Sequence, residues 1–501
     1  MNKQKILIVG GGISGLVAGV YAQLAGFDAE IYEKNHVAGG ECTGWDREGF
    51  HIDNCIHWLM GTTPGTELNK IWRTSGALGD DTKILTSDSM YISELNSDRL
   101  TLWKDIDRTE REMIALSPED EVEIRKLIAD CRKSEKVQIP AYKPSELLNF
   151  RDLFKMLITM GSALSIMKAY KGQDTTDLMN KFKHPLIRCM ISDFCTKESL
   201  GYSFPMAYGN FTSGDGGIPQ GGSKAMALRI QKKFEGLGGK MFTGISVDKI
   251  VLNDADRAIG ITLSDGRLVH GDYIVCACDT DYTFGHLVDL NRMDPVLRDV
   301  YANRKAYPVY GMFQVAFSVD SDIDCLKGEY MIDSAPVRFA DWVSERMMIK
   351  NFNYEPSFAP EGKQIIQVML GLGEEGWDYW SALYKDKEAY RLRKMEIAGN
   401  IQSMIERRFP KYVGRLKILD VWTPMTYHRY CNAYKGYNQA YTITKYSAEN
   451  PYPSPFVKGI DNIVLAGQWM SPPGGLPSAA IQGKFAIQRI LRKCGRKVKF
   501  D

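Results

Sequence analysis

Ile6-Leu7-Ile8-Val9-Gly10-Gly11-Gly12-Ile13-Ser14-Gly15 is the stretch that decides the fold. Four apolar residues read as a buried strand, the glycines as a turn, and Leu16 to Leu24 as an amphipathic helix. A second strand, Ala29-Glu30-Ile31-Tyr32, ends on Glu33. Strand, glycine turn, helix, strand and acid, in that order, are what a dinucleotide-binding unit requires. Gly10 permits the tight turn, Gly12 lets the backbone approach a pyrophosphate, and Gly15 lets the helix pack close to the strand. Ser14 stands at the helix start, where free N–H groups and the positive end of the helix dipole face the phosphates. Glu33, about 18 residues past Gly15, is placed to accept hydrogen bonds from ribose hydroxyls.

The same glycine spacing recurs at Gly371-Leu372-Gly373-Glu374-Glu375-Gly376, after the strand-like Gln364 to Leu370. Two carboxylates inside that loop would repel a pyrophosphate, and no strand ending in an acid follows at the right distance. It reads as an ordinary strand-to-helix turn.

A chain of 501 residues has room for two or three domains, and 44% hydrophobic with 25% charged residues is a globular composition. A net charge of +2 gives no reason to expect a nucleic-acid partner. The first strand starts almost at Met1, which leaves no room for a secretory signal, and a reducing cytoplasm is the expected location. Ten cysteines without a CxxC pair read as packing residues, and neither they nor the seven histidines have metal-ligand spacing. No stretch is long enough to span a bilayer. The nearest runs from Met156 to Met167, flanked by Arg151, Lys155, Lys168 and Lys171. It reads either as a Met-rich helix lining the interior or, over 151–171, as a peripheral membrane contact. The C-terminal tail, Arg489 to Lys499, adds basic charge.

The fold class expected is α/β, with a Rossmann-like dinucleotide-binding domain assembled from residues 1–75, 215–290 and 455–501. The second piece opens at Gly221-Gly222-Ser223, with a helix to Phe234 and strands over 247–252, 258–263 and 272–278. The third is the strand Asn462 to Ala466, a glycine- and proline-rich loop, and a helix from Ser478 to Leu491. Residues 76–214 and 291–454 form an inserted α+β substrate domain. The first insertion looks mostly helical, with a helical cap within 110–210 whose start signal is Ser117-Pro118-Glu119-Asp120. In the second, a helix runs from Lys385 to Phe409 and Pro410 ends it.

Together the three pieces resemble the flavin-containing amine oxidase superfamily, and more narrowly its phytoene desaturase, carotenoid isomerase and retinol saturase branch. The carrying residues are Gly39-Gly40, the strand Glu48-Gly49-Phe50-His51-Ile52-Asp53, the block from Asp98 to Trp103, Ile218-Pro219-Gln220-Gly221-Gly222-Ser223, and Ala466-Gly467-Gln468-Trp469 with Pro473-Gly474-Gly475-Leu476-Pro477. The resemblance implies FAD. It gives Gly10, Gly12, Ser14 and Gly15 the pyrophosphate, Glu33 the ribose, and Gly39 and Gly40 the path along the cofactor. Val247 would meet the adenine through its backbone, and Gly467, Gln468, Gly475 and Leu476 the ribityl chain and ring. The chain departs from this pattern at Glu41, where many relatives carry arginine, and at Gln468, where many carry an acid.

The activity so implied is an FAD-dependent desaturase, saturase or isomerase acting on carbon–carbon bonds of a lipophilic polyene. A flavin amine oxidase is the alternative enzyme. A non-catalytic lipid escort of the same architecture is the alternative of another class. Candidate catalytic residues are His57, just after the Asp53 strand, and Tyr430, in the aromatic stretch Thr426 to Tyr441. Glu41 and Cys55 are expected near the flavin.

Overall fold

The computed structural model describes residues 3–320, 328–498 and 500. Met1, Asn2, residues 321–327, Lys499, Asp501 and the side chain of Lys155 lie outside the described residues. Strand β1 (Lys5–Val9), helix α1 (Ile13–Leu24) and strand β2 (Asp28–Glu33) open the chain. β1 is central in a six-stranded sheet. Phe456–Val457, Ile460–Leu465 and Tyr273–Cys276 lie on one side of it, β2 and Lys240–Thr243 on the other. All pairings are parallel except the edge strand Phe456–Val457. Ile6, Leu7 and Ile8 are fully buried, as expected of a parallel strand covered on both faces.

α1 packs against the C-terminal helix Gly475–Lys493 and against the helix Gly222–Gly236. The first contact is close, since a Cβ on Gly483 would meet the Ser14 carbonyl oxygen at 2.3 Å. The C-terminal helix starts at Gly475, three residues before the position read from sequence. Gly373 does sit in a plain strand-to-helix turn between Gln364–Leu372 and Glu374–Leu383, and Glu374 is ion-paired with Arg304 and Lys435.

A second, seven-stranded sheet runs in the order 416–422, 311–319, 364–372, 342–351, 329–339, 89–95, 98–103. Its last two strands come from the first insertion, which is less helical than its composition suggests. Asn96, at φ 55°, turns the hairpin between them, and Tyr330 pairs with Ile92 across the parallel junction. The helices that follow, from Ile106 to Thr212, enclose a separate core built around Met113, Ile124, Leu127, Leu186 and Phe204.

Candidate functional site

The carboxyl ends of the parallel strands converge on one cavity. Gly10 follows β1, Glu33 ends β2, Ala277-Cys278-Asp279 follow the strand Tyr273–Cys276, and Gly467 follows Ile460–Leu465; all line it. Such a crevice is where open α/β sheets bind ligands.

The glycine turn is shaped by close approach. A Cβ on Gly15 would lie 1.9 Å from the Gly10 carbonyl oxygen, so only glycine lets α1 start this near the strand. Gly39 pairs with Gly12 across an isolated bridge at φ 123°, where a Cβ would meet the Cys42 carbonyl at 2.4 Å. Gly12 itself faces open space, with no protein atom nearer than 4.0 Å to a built Cβ. No side chain caps the first turn of α1. Ser14 Oγ is buried and has no hydrogen-bond partner among the described residues. A bare backbone cradle with one orphaned hydroxyl fits a pyrophosphate.

Glu33 is buried and held in place. Its Oε2 accepts from the Gly11 N–H (2.7 Å) and its Oε1 from the Asn35 backbone and side-chain amides (both 2.8 Å). Val247, with Ser246 and Tyr282, walls the same end, and the Val247 carbonyl accepts from the Tyr282 hydroxyl at 3.1 Å. At the other end lie Gly40, Glu41, Gln468, Gly475 and Leu476. Gln468 Oε1 accepts from the Gly475 N–H (2.9 Å), so the neutral amide ties the loop to the start of the C-terminal helix. Gly15 is beneath the cavity rather than in its wall.

Glu41 and Asp279 are two carboxyl groups in this wall. Burial, then the charge of Asp279, pushes the Glu41 carboxyl up to about 8. Burial pushes Asp279 up to about 7, against the N–H groups of Tyr434 and Asp281 that favour its charged form. The direction of both shifts favours the protonated carboxyl.

His57 is not in the cavity wall: its Nδ1 is 2.7 Å from Glu329 Oε1, and Glu329 is 3.8 Å from the buried Lys350 ammonium. Tyr430 is in the wall, half exposed at the cavity mouth. The other tyrosines of its stretch serve the interior. Tyr427 accepts from Gln314 (2.6 Å) and donates to Asn54 (2.9 Å), and Asn54 in turn donates to the Glu41 carbonyl (3.2 Å). Tyr441 donates to the Pro451 carbonyl at 2.7 Å. The segment that carries Tyr430 is tied to the end of β2: Lys34 donates to the Arg429 carbonyl (2.8 Å) and to Asn432, and Asn35 to the Tyr430 carbonyl (2.9 Å).

Sequence reading missed Asp279, Tyr282, Asn35 and Cys431 as wall residues. For Asp279 a signal was present, because it directly follows a parallel strand of the sheet that carries the glycine turn.

Among the described residues no group of three or more His, Cys, Asp or Glu side chains could hold a metal ion. No helix among them is long and apolar enough to cross a membrane.

The parallel sheet and the crevice at its carboxyl edge define a dinucleotide-cofactor protein of the α/β class. The chain belongs to the flavin-containing amine oxidoreductase family, whose model matches residues 13–491, and a flavin is the cofactor this membership implies. It is 23% identical to a chloroplastic prolycopene isomerase 2 of an Oncidium hybrid cultivar, over 98% of this chain and 84% of that protein. It is 22% identical to the all-trans-retinol 13,14-reductase of Danio rerio, over 97% of this chain and 86% of that one. A lycopene-forming phytoene desaturase of a Paracoccus species is 22% identical, over 97% of both chains. Among solved structures, an oxidoreductase from Methanosarcina mazei superposes with TM-score 0.61 at 16% identity, covering 97% of this chain and 100% of that one. Putrescine oxidase with putrescine bound superposes with TM-score 0.57 at 14% identity, covering 98% of this chain and 99% of that one. Both structures share the fold.

Proposed function

We propose that this protein is an FAD-dependent oxidoreductase or isomerase acting on carbon–carbon bonds of a lipophilic polyene. The observation that carries the reading is the single cavity running from the Gly10–Ser14 turn, past Glu33, to Glu41, Gln468 and Gly475. Relatives named for carotenoid and retinol chemistry, matching nearly the whole chain, support the substrate class. The FAD unit comprises 1–75, 215–290 and 455–501, and 76–214 with 291–454 shape the substrate side.

When bound, FAD supplies reversible two-electron chemistry at its ring. The chain's own residues do the rest. The α1 N-terminus and the Ser14 hydroxyl hold the pyrophosphate, with Gly10, Gly12, Gly39 and Gly40 giving it backbone room. Glu33 accepts from the ribose, and Val247 borders the adenine. Gly467, Gln468, Gly475 and Leu476 hold the far end. Glu41, its carboxyl pushed up to about 8 beside Asp279, can give a proton to the substrate in its neutral form and take one in its ionised form. It displaces His57 as the preferred acid–base group, because His57 is engaged with Glu329. The buried chain Gln367–Gln314–Tyr427–Asn54 positions the Glu41 backbone. Anaerobic bleaching of the flavin spectrum by polyenes, with amines leaving it unchanged, tests the function. Bleaching by amines with peroxide release in air would replace it with amine oxidation.

A peripheral membrane contact through 151–171 belongs to the same proposal. The helix Phe150–Ala169 exposes Phe150 (86%), Phe154 (62%) and Ile158 (68%), spaced four apart on one face, with Arg151, Lys168 and Lys171 nearby. A polyene entering from a bilayer avoids exposing its carbons to water, each methylene of which costs about 0.8 kcal/mol.

A further inference from the structure

The cavity proposed for FAD is walled by charge of the same sign as the cofactor. Three carboxyl side chains, Glu33, Glu41 and Asp279, line it against one cation, Lys34, and no arginine or histidine does. Lys34 is engaged elsewhere: it donates to the Arg429 carbonyl (2.8 Å) and to Asn432, and burial pushes its ammonium down. The pyrophosphate of FAD brings further negative charge into this wall.

Glu41 is fixed beside the glycine cradle. It directly follows Gly40, on which a Cβ would lie 3.2 Å from the Gly12 Cα. Strand β3 (Gly44–Arg47) begins shortly after it and pairs with β4 (Phe50–Asp53). Just past β4, the Asn54 side chain donates to the Glu41 carbonyl (3.2 Å). Asp279 enters the cavity from the end of the strand Tyr273–Cys276. Its Oδ2 accepts from the Tyr434 N–H (2.9 Å) and its Oδ1 from the Asp281 N–H (2.8 Å), while three N–H groups fill the oxygens of Glu33.

The other titratable groups here offer no compensating charge. Burial pushes up the thiols of Cys278 and Cys431 and the phenol of Tyr427, and Cys42 and Cys55 complete the wall. Around Asp279 stand Tyr301, Tyr434 and Asp281; burial raises the Asp281 carboxyl too, against the charges of His428 and Lys435. An anion placed beside an ionised carboxylate in a site shielded from water meets repulsion that a proton removes.

We infer that this site binds its anionic cofactor together with protons, which are taken up by Glu41 and in part by Asp279. The inference rests on the cavity holding FAD. Each proton comes from solvent and stays on a carboxylate oxygen, and no bond of the cofactor changes. Loading is then strongest where both carboxyls are already neutral in the empty site. It weakens as pH rises through about 7 and about 8, where Asp279 and Glu41 ionise. The wall thus acts as a pH-sensitive control on cofactor occupancy.

The test is calorimetric titration of FAD into the full chain freed of flavin, in buffers of different ionisation enthalpy, since the difference in apparent heat counts the protons exchanged. Uptake should be close to zero at about pH 6 and about one proton or more per FAD at about pH 9, with Kd rising about tenfold per pH unit or more between about 8 and 9. Glu41→Gln should lower the count at the higher pH and bind FAD more tightly than the wild type there. The wild-type counts decide if that variant fails to fold. FAD bound at the higher pH with no proton uptake, or with uptake replaced by a requirement for magnesium, overturns the inference. Failure to bind FAD at the lower pH overturns the cofactor reading instead.

Discussion

Ser14 carries the cleanest residue-scale test of the cofactor site, because its buried hydroxyl has no partner among the described residues to lose. Ser14→Ala should weaken FAD binding by about 0.5–1.5 kcal/mol, up to roughly tenfold in Kd, and leave the melting temperature of the flavin-free protein unchanged. Flavin-fluorescence titration beside a thermal melt separates the two effects. Glu41 makes a pH prediction. Its folded-state pKa, about 8, lies above its unfolded value, so the stability it contributes is full below about 4.5 and is lost as pH rises toward 8. Glu41→Gln should therefore flatten the fall in melting temperature between those pH values, with Asp279 contributing the part that remains up to about 7. An unchanged pH profile would remove Glu41 as the acid with the raised pKa. The glycines and Glu33 were legible in the sequence because the backbone geometry they serve is local. Tyr427, Gln314 and Asp279 were not, since their roles depend on contacts between residues far apart in the chain, such as the 2.6 Å bond from Gln314 to Tyr427.

At the scale of elements, the motif Gly221-Gly222-Ser223 is locked onto β4. Asp53 receives both the Ser223 N–H and its hydroxyl, and a Cβ on Gly222, at φ 65°, would lie 1.8 Å from Asp53 Oδ2. Asp53→Ala leaves the buried Ser223 N–H and O–H donors without their acceptor and should cost about 1–3 kcal/mol, measured by urea unfolding. A change within a few tenths would mean that water replaces the carboxylate. The helix Phe150–Ala169 makes a second prediction. Replacing Phe150, Phe154 and Ile158 together by serine should abolish co-sedimentation with anionic vesicles without altering the flavin spectrum. Vesicle binding that survives would place the contact elsewhere. Helix ends read from caps and prolines came close, as with Lys387–Arg408 against an expected Lys385 to Phe409. The strands Ser89–Leu95 and Asp98–Trp103 were hidden, because their partner strand, Glu329–Phe339, lies more than two hundred residues away.

On the scale of the whole molecule, two sheets divide the work. The parallel one gathers its strand ends into the cavity, and the seven-stranded one sends the Gln367–Gln314–Tyr427 chain toward the Asn54 and Glu41 side of it. Fold and family were legible from motifs at both ends and the middle of the chain: the terminal ones flank strands of the six-stranded sheet, and the middle one opens the helix that packs on α1. The substrate was not, because no short motif in the insertions names one. The most direct test is the absorbance spectrum of the purified protein, followed anaerobically with polyene lipids and with primary and secondary amines. The account predicts oxidised-flavin bands that a polyene bleaches, or that a polyene restores after prior reduction. Isomerisation would instead appear as a polyene converted by the reduced flavin with no net change in its bands. A colourless protein that takes up no added FAD would contradict it.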